Sequence, residues 1–329
     1  MALAGGGARR TVLVLRALGL GDLLVAVPAL RGLRRALPRH RIVLAAPAPL
    51  APLAALAGAV DEVLPATGLA PPLPWTGPPP DLAVNLHGAG PQSHRLLLPL
   101  RPRRLWGFPH PNVSGVDGPE WRDGEHEATR WCRLLAWHGV PADPLDLDLP
   151  LPHRRSPAPG AVVVHPGAAY PSRRWPVERF AAVAAALHRD GHRVAVTGGP
   201  DERELAAEVA GRAGLPDRHV LAGRTDVLDL AALVAAARLV ICGDTGVGHL
   251  ATAYRAPSVL LFGPTPPAEW GPPAGRGHRV LWRGSGSGER FADRPDRALL
   301  ALDVPAVLEA AMQLLEAGAG GAVRAAAAP

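Results

Sequence analysis

The amino-acid sequence predicts an α/β protein built from two doubly wound, Rossmann-like domains that face each other across a cleft. Apolar strands alternate with amphipathic helices through two successive arrays, a pattern typical of parallel sheets covered by helices on both faces. A proline-rich stretch, residues 141–160, separates the arrays. At 329 residues the chain is too long for one ordinary core. We therefore predict an N-terminal domain over 1–150, a C-terminal domain over 151–317, and a disordered tail over 318–329.

Composition narrows the class of protein. Hydrophobic residues make up 48% and charged residues 19%, which is normal for a soluble globular protein rather than a disordered one. No apolar run approaches the ~20 residues of a membrane span, and the N-terminus lacks a signal-peptide pattern, so we expect a cytoplasmic protein. The formal charge of +6 favours an anionic substrate or peripheral contact with the inner face of a membrane. Scattered arginines without interleaved aromatics argue against a nucleic-acid partner.

The first array opens with a strand over 11–17 and the turn Gly19-Leu20-Gly21-Asp22. An amphipathic helix follows, so Asp22 is either a helix cap or a carboxylate at the ligand-facing edge of the sheet that could act as a general base. The glycines do not complete a dinucleotide fingerprint, because the third glycine position holds Leu24 and no acidic residue ends the second strand. The remaining elements predicted in this array are strands over 41–46, 62–65, 81–86 and 105–108, and helices over 50–56, near 93–98, and over 125–138.

The strand over 81–86 delivers His87 to its carboxyl end, and Arg95 lies on the helix that follows. A single histidine is more often packed or solvated than catalytic. We retain His87, with Gly21 and Arg95, as candidates for the acceptor side of a ligand site.

The second array contains features suited to phosphate. The strand over 239–241 runs into Gly243-Asp244-Thr245-Gly246, and a helix begins there. The first N–H groups of a helix lack internal partners and carry the positive end of its dipole, so they suit an anion. The alternative is that Asp244 or Thr245 only caps the helix while His249 packs beneath it. The other elements predicted here are strands over 161–164, 192–197, 220–223, 258–262 and 279–282, and helices over 177–189, 226–237 and 304–315.

Two further pairs of charged residues lie at turns of the second array. Arg173 and Arg174 precede the helix over 177–189, and their guanidinium groups could clamp a diphosphate or could form a solvated basic turn. Asp201 and Glu202 open the next helix, where they could bind ribose hydroxyls or simply complement the helix dipole. Cys132 and Cys242 are too far apart in sequence to suggest a disulfide framework or a metal cluster.

Four short segments occur in an order and spacing that resemble one known family. They are Arg16 to Leu30 with Gly21-Asp22; His165-Pro166-Gly167-Ala168 with Arg173-Arg174-Trp175-Pro176; Thr197-Gly198-Gly199-Pro200; and Asp244 to His249 followed by Phe262-Gly263-Pro264-Thr265. Along nearly its whole length the chain resembles glycosyltransferase family 9, the bacterial heptosyltransferase family. The resemblance implies a GT-B fold and inverting, metal-independent transfer of a sugar from a nucleotide-sugar donor such as ADP-heptose. The acceptor would be a hydroxyl of a glycan, a glycolipid or a metabolite, and no cofactor is expected.

The resemblance also implies roles for individual residues. Asp22 would be the base that deprotonates the acceptor, and Asp244 would contact the donor sugar. Arg173 stands where the family commonly has a phosphate-neutralising lysine. The backbone N–H groups expected to hold the diphosphate are those of Thr245, Gly246, Val247, Gly248 and His249. Gly167 and Arg174 would lie at the donor site, and Asp201 or Glu202 would reach the ribose.

Other functions are compatible with the same residues. A nucleotide-sugar epimerase would cleave the same diphosphate bond without an acceptor. A nucleotide-sugar-binding protein without catalytic activity is a second alternative, although the presence of Asp22 and Asp244 argues against it. A Rossmann oxidoreductase is disfavoured by the incomplete fingerprint.

Overall fold

The structure is a computed structural model that describes residues 9–275 and 277–326, with side chains described up to residue 318. The chain divides into two compact units, Met1–Leu147 and Asp148–Pro329. The boundary lies within the proline-rich stretch between the two arrays.

The N-terminal unit contains one five-stranded sheet in the order β3-β2-β1-β4-β5, and every neighbouring pair is parallel. Its elements are β1 (Thr11–Leu15), α1 (Leu20–Ala36), β2 (Arg41–Ala46), α2 (Ala51–Leu56), β3 (Glu62–Pro65), β4 (Leu82–Asn85), α3 (Gln92–Leu97), β5 (Leu105–Trp106) and α4 (Glu127–Trp137). The order of strands reverses between β1 and β4, where Leu15 lies opposite Asn85. Ligands of doubly wound sheets bind outside the carboxyl ends of the strands at such a switch point.

The C-terminal unit contains a second parallel five-stranded sheet, in the order β10-β9-β8-β6-β7. Its elements are β6 (Val162–His165), α5 (Val177–Arg189), β7 (Val194–Val196), α6 (Arg203–Arg212), α7 (Val227–Ala235), β8 (Leu239–Gly243), α8 (Gly246–Ala253), β9 (Ser258–Phe262), α9 (Pro267–Trp270), β10 (His278–Trp282), α10 (Arg297–Leu300) and α11 (Val304–Ala326). The strand order reverses between β6 and β8, where His165 pairs with Cys242. The second switch point therefore lies between the loops that follow β6 and β8.

The central strands are buried along their whole length, which explains why they are continuous apolar runs rather than alternating ones. The prediction of two doubly wound α/β units is confirmed. The placement of a cleft between them remains a prediction.

Two elements differ from the sequence-based prediction. The strand expected over 220–223 is reduced to a single bridge between Val196 and Val220. Gly223 adopts a left-handed backbone (φ 65°), which turns the chain away from β7. The tail expected to be disordered from residue 318 is helical as far as Ala326, because α11 continues past the predicted end at Leu315. Residues 327–329 lie outside the described residues.

Trp175 fixes the turn that carries the two candidate arginines. Its side chain is buried, its ring meets that of Phe180 edge-on at 5.1 Å, and its Nε1 donates to the carbonyl of Leu302 at 3.0 Å. A buried Trp contributes roughly 2–3 kcal/mol of transfer free energy. The backbone immediately before Trp175 is therefore anchored to the core.

Candidate active site

Asp22 lies in the first turn of α1, directly beyond the carboxyl end of β1. Its Oδ1 accepts a hydrogen bond from Nη2 of Arg16 at 3.0 Å, and its backbone carbonyl accepts from Nε of the same arginine at 3.0 Å. Arg16 is fully buried, whereas the Asp22 side chain keeps 27% of its surface exposed. No protein group among the described residues hydrogen-bonds Oδ2 of Asp22, which lies near Gly19. The carboxylate is thus held by one oxygen and offers the other to a ligand.

The loop after β4 lies at the same switch point and carries His87. The backbone N–H of His87 donates to Oδ1 of Asn85 at 3.0 Å, and Asn85 Nδ2 donates to the hydroxyl of Ser93 at 2.8 Å. Burial first, and then the charge of Arg16, lowers the pKa of His87 to about 4. The imidazole is therefore neutral near pH 7, and it suits a hydrogen-bonding role better than a cationic one. Gly21 is half-buried in α1, while Arg95 is exposed on α3.

In the C-terminal unit, Asp244 and Thr245 connect β8 to α8. Asp244 is buried, and Thr245 is the N-cap residue of α8 without a capping bond from its side chain. The N–H groups of Gly248 and His249 point back to the carbonyl of Thr245, at 3.0 and 3.4 Å. Five N–H groups were expected to bind a diphosphate. Those of Thr245, Gly246 and Val247 remain available for this role, because the helix has no carbonyl before them that could accept their hydrogen bonds.

Gly248 explains how closely α8 approaches the sheet. A Cβ at this position would lie 3.1 Å from Cδ2 of Leu260 and 3.5 Å from Sγ of Cys242. The thiol of Cys242 is a poor nucleophile, because burial raises its pKa to about 12. At the end of the first turn of α8, the ring of His249 lies edge-on to that of Trp270, with 5.8 Å between the ring centroids. A concavity at this point is lined by Gly243, Asp244, Thr245, Gly248, His249, Trp270 and Pro272, among others.

Arg173 lies across from Asp244, with Nη1 3.8 Å from Oδ2. This is a loose ion pair, and Nε of Arg173 is buried without a hydrogen-bond partner among the described residues. The segment 290–296 holds the turn in place, since Ser172 donates its hydroxyl to the Arg290 carbonyl at 2.8 Å and its N–H to the Ala292 carbonyl at 3.2 Å. The backbone of Arg173 is therefore fixed, while its guanidinium makes the long ion pair with Asp244 and has donors left for a ligand.

The remaining donor-side candidates play more structural parts. Arg174 donates from Nε and Nη2 to the carbonyl of Ala168, at 2.9 and 2.8 Å, so it fastens the loop after β6. Glu202 accepts the N–H of Gly199 at 2.7 Å and presses its carboxylate against Gly167. Asp201 is exposed. Contact of either acidic residue with a ribose remains a prediction.

His165, at the end of β6, is buried close to these groups. Its Nδ1 lies 3.2 Å from the carbonyl of Thr197, which can only accept, so Nδ1 carries the proton. Burial lowers the pKa of His165 despite the opposing charge of Glu202. The ring is a neutral support for the loop that contains Gly167.

Within the part of the chain that the structure describes, no three histidine, cysteine, aspartate or glutamate side chains are grouped as metal ligands. Over the same residues, no helix is both long and apolar enough to cross a bilayer. Cys132 and Cys242 are buried free thiols.

Sequence reasoning missed two residues that continue the charge network from Arg16. Glu127 and Arg130, at the start of α4, extend the contact of Arg16 with Asp22 into a buried chain of alternating charges. The available signal was an arginine directly after an apolar strand, which must find a partner when it is buried. Nothing in the sequence indicated which partner.

Known proteins resemble this chain in sequence and in fold. Residues 138–292 match the family model described as glycosyltransferase family 9 (heptosyltransferase). The chain is 37% identical over 113 residues to lipopolysaccharide heptosyltransferase 3 of Escherichia coli, an alignment that covers 34% of this chain and 33% of that protein. The chain thus aligns with about a third of the length of this curated relative.

Similarity to solved structures extends over both units. The structure of E. coli ADP-heptose LPS heptosyltransferase II superposes with a TM-score of 0.74 and 21% identity, covering 93% of this chain and 98% of the other. The iron-containing dodecameric glycosyltransferase TibC of enterotoxigenic E. coli gives 0.62 and 16%, covering 94% and 76%. These likenesses show that the fold is GT-B. The match to the family 9 model covers just under half of the chain, residues 138–292.

Proposed function

We propose that this protein is an inverting glycosyltransferase that moves a sugar from a nucleoside-diphosphate donor to a hydroxyl of a glycan, without a metal ion. The observation that carries the proposal is which groups lie at the switch points of the two sheets. One presents the partly exposed carboxylate of Asp22, and the other combines the start of α8 with Arg173 and Asp244. The match of residues 138–292 to the family 9 model supports the class of reaction, and the names of the relatives favour a heptose donated by ADP and a lipopolysaccharide-like acceptor.

The donor groups match the charge that develops during transfer. As the bond between the anomeric carbon and the phosphate oxygen breaks, negative charge accumulates on the departing diphosphate. The first N–H groups of α8 supply fixed dipoles, and Arg173 supplies a cation with an unused buried Nε. Asp244 is placed close to the same cation, where its carboxylate could orient hydroxyls of the donor sugar.

The acceptor side needs a base. The acceptor oxygen would attack the anomeric carbon from the face opposite the diphosphate and lose its proton to Oδ2 of Asp22, the oxygen that protein groups leave open. Neutral His87 would donate or accept a hydrogen bond near the acceptor. The products are the glycoside, the nucleoside diphosphate and a protonated Asp22, which returns its proton to solvent.

The test follows nucleoside-diphosphate release and glycoside formation, by mass spectrometry, with ADP-heptose and a lipopolysaccharide core acceptor. A screen of ADP, UDP, GDP and dTDP by thermal shift identifies the base beforehand, and a selective response to ADP is expected. Asp22→Asn should abolish transfer while ADP still binds, whereas Asp244→Asn should weaken binding of the sugar donor. Diphosphate release that does not depend on an acceptor would instead indicate the epimerase alternative. No transfer with any donor and acceptor, despite nucleotide binding, would indicate a binding protein.

Metal independence is tested separately. Transfer should persist in EDTA, and the purified protein should contain no stoichiometric metal by elemental analysis. Because TibC is an iron-containing relative, iron is the metal to measure first. Loss of activity in EDTA that is restored by one metal would refute this part of the proposal.

A lipid-linked acceptor would bring the protein to the inner membrane face. Flotation with anionic vesicles that carry the acceptor, compared with vesicles that lack it, tests this contact. Equal failure to float with both would refute it.

A further inference from the structure

The guanidinium of Arg16 is shared between two carboxylates. Its Nη2 donates to Oδ1 of Asp22 at 3.0 Å and to Oε1 of Glu127 at 3.1 Å, while Nη1 donates to the carbonyl of Leu86 at 2.5 Å. The cation is fully buried and lies over the ring of Trp131, 4.8 Å from its centroid. A buried cation of this kind has little solvent screening, so its effect on each carboxylate is strong.

The charge of Glu127 is also compensated by a second arginine, Arg130. Its Oε2 accepts from Nε of Arg130 at 3.1 Å, and both side chains are almost completely buried. Arg130 also donates to the carbonyls of Arg122 and Glu125, at 2.6 and 2.9 Å, and these bonds fix its position. Negative and positive charges therefore alternate along the line from Asp22 through Arg16 and Glu127 to Arg130.

This arrangement addresses a conflict in the proposed reaction. Two bonds from Arg16 hold Asp22 in one orientation, which a general base requires. A nearby cation, however, also stabilises the ionised carboxylate and weakens it as a proton acceptor. If Arg16 faced Asp22 alone, good positioning would come with poor basicity.

We propose that Glu127 is a positioning residue that, by sharing Arg16 with Asp22, keeps the base oriented and still able to take the acceptor proton. Arg130 sets the strength of this effect, because it withdraws part of the charge of Glu127 from Arg16. Among the described residues, His87 also lies close enough to interact with the charge of Arg16, and it is neutral near pH 7. The inference rests on the proposed transferase activity and on the role of Asp22 in it.

Two substitutions in the full-length protein should move the pH dependence of kcat in opposite directions. In Glu127→Gln, no second carboxylate compensates Arg16, so its charge acts more strongly on Asp22. The acid limb, which is the fall of kcat on the low-pH side of the profile, should move to lower pH by about one unit. The value of kcat at neutral pH should fall about tenfold. Arg130→Gln leaves Glu127 to neutralise Arg16 more fully, so the acid limb should move to higher pH. Neither change should alter ADP affinity by more than about twofold, because both residues lie in the N-terminal unit, whereas the donor groups belong to the C-terminal unit.

Glu125→Gln is the matched control. Glu125 precedes the same helix and is similarly shielded, but it accepts from Nε and Nη2 of Arg133, both at 2.8 Å, and none of its side-chain bonds reaches Arg16. Its pH profile should coincide with that of the wild type. Circular dichroism and urea unfolding confirm that each variant is folded, and either charge variant tests the idea if the other does not fold.

The proposal is wrong if folded Glu127→Gln and Arg130→Gln keep the acid limb of the wild type, or if both move it in the same direction. A fall in kcat without displacement of the limb would show a purely structural role and would also overturn it. Failure of the transferase proposal looks different, because the wild-type protein itself would then release no acceptor-dependent nucleoside diphosphate.

Discussion

Replacing Gly167 with alanine tests whether Glu202 shapes the loop after β6. A Cβ at residue 167 would lie 1.9 Å from Oε1 and 2.6 Å from Oε2 of Glu202, distances that no structure tolerates. The backbone of Gly167 is not left-handed, so alanine introduces no strain of its own. The substitution therefore acts by expelling one carboxylate.

The cost follows from what that carboxylate does. Its Oε2 accepts the N–H of Gly199 at 2.7 Å, a charge-assisted bond at the start of the turn that leads into α6. Loss of such a bond costs about 1–2 kcal/mol. In a Glu202→Ala background the bond is already absent, and the three atoms nearest the new Cβ are gone. There Gly167→Ala should be neutral or stabilising by up to about 1 kcal/mol, because alanine restricts the unfolded chain.

Urea unfolding of the wild type, both single variants and the double variant measures the coupling between the two sites. We expect a coupling free energy of about 1–3 kcal/mol with unchanged m values. Gly211→Ala on α6 is the control, since nothing lies within 4 Å of its Cβ, and it should not destabilise the protein. If Gly167→Ala destabilises equally with and without Glu202, the steric reasoning is refuted.

Three further outcomes are expected. Arg173→Ala should weaken ADP binding by about tenfold, and Arg173→Lys by less, as measured by calorimetry; unchanged affinity in both would remove Arg173 from the donor site. Ser172→Ala removes a 2.8 Å bond to the Arg290 carbonyl and should cost about 1 kcal/mol in urea unfolding, whereas an unchanged midpoint would deny the segment 290–296 a holding role. Burial, and then His110, lowers the pKa of His94 to about 4, so the unfolded chain binds its proton first as pH falls. Stability should therefore drop by up to about 3 kcal/mol between pH 6.5 and 4, and His94→Leu should flatten this slope; an identical slope in the variant would contradict the assignment.

The sequence was most informative where strands are buried on both faces. β2 and β9 occupy the predicted residues, because apolar runs that end at proline or glycine leave little choice of boundary. The half-exposed β3 and the helix α5 also begin and end as predicted. The strand expected over 220–223 was wrong because its apolar character fitted, but the left-handed Gly223 redirects the chain after one bridge. The end of α11 was misplaced because alanine and glycine gave no stop signal after Leu315.

In the candidate site, the sequence predicted individual residues but not the contacts that they make. Asp22, Arg173 and Asp244 could be singled out because each follows a strand or precedes a helix, and the carboxyl ends of parallel strands gather at one edge of a sheet. What surrounds them could not be predicted, because it depends on pairs that are distant in sequence. Glu202 shows the reverse case, where a residue selected as a ribose ligand is already bonded to the turn beside it.

The pairing of Arg16 with Glu127 shows why such contacts escape local reasoning. The two residues are 111 positions apart, and Glu127 by itself resembles any acidic residue in the first turn of a helix. The role of Glu127 follows from the burial of Arg16. A fully buried guanidinium without a compensating charge would cost several kcal/mol and would disrupt the end of β1. Asp22 supplies one compensating carboxylate, and Glu127 accepts a second bond from the same Nη2 of Arg16. The sequence shows that a partner is needed, and only the packing of α4 against α1 decides which residue supplies it.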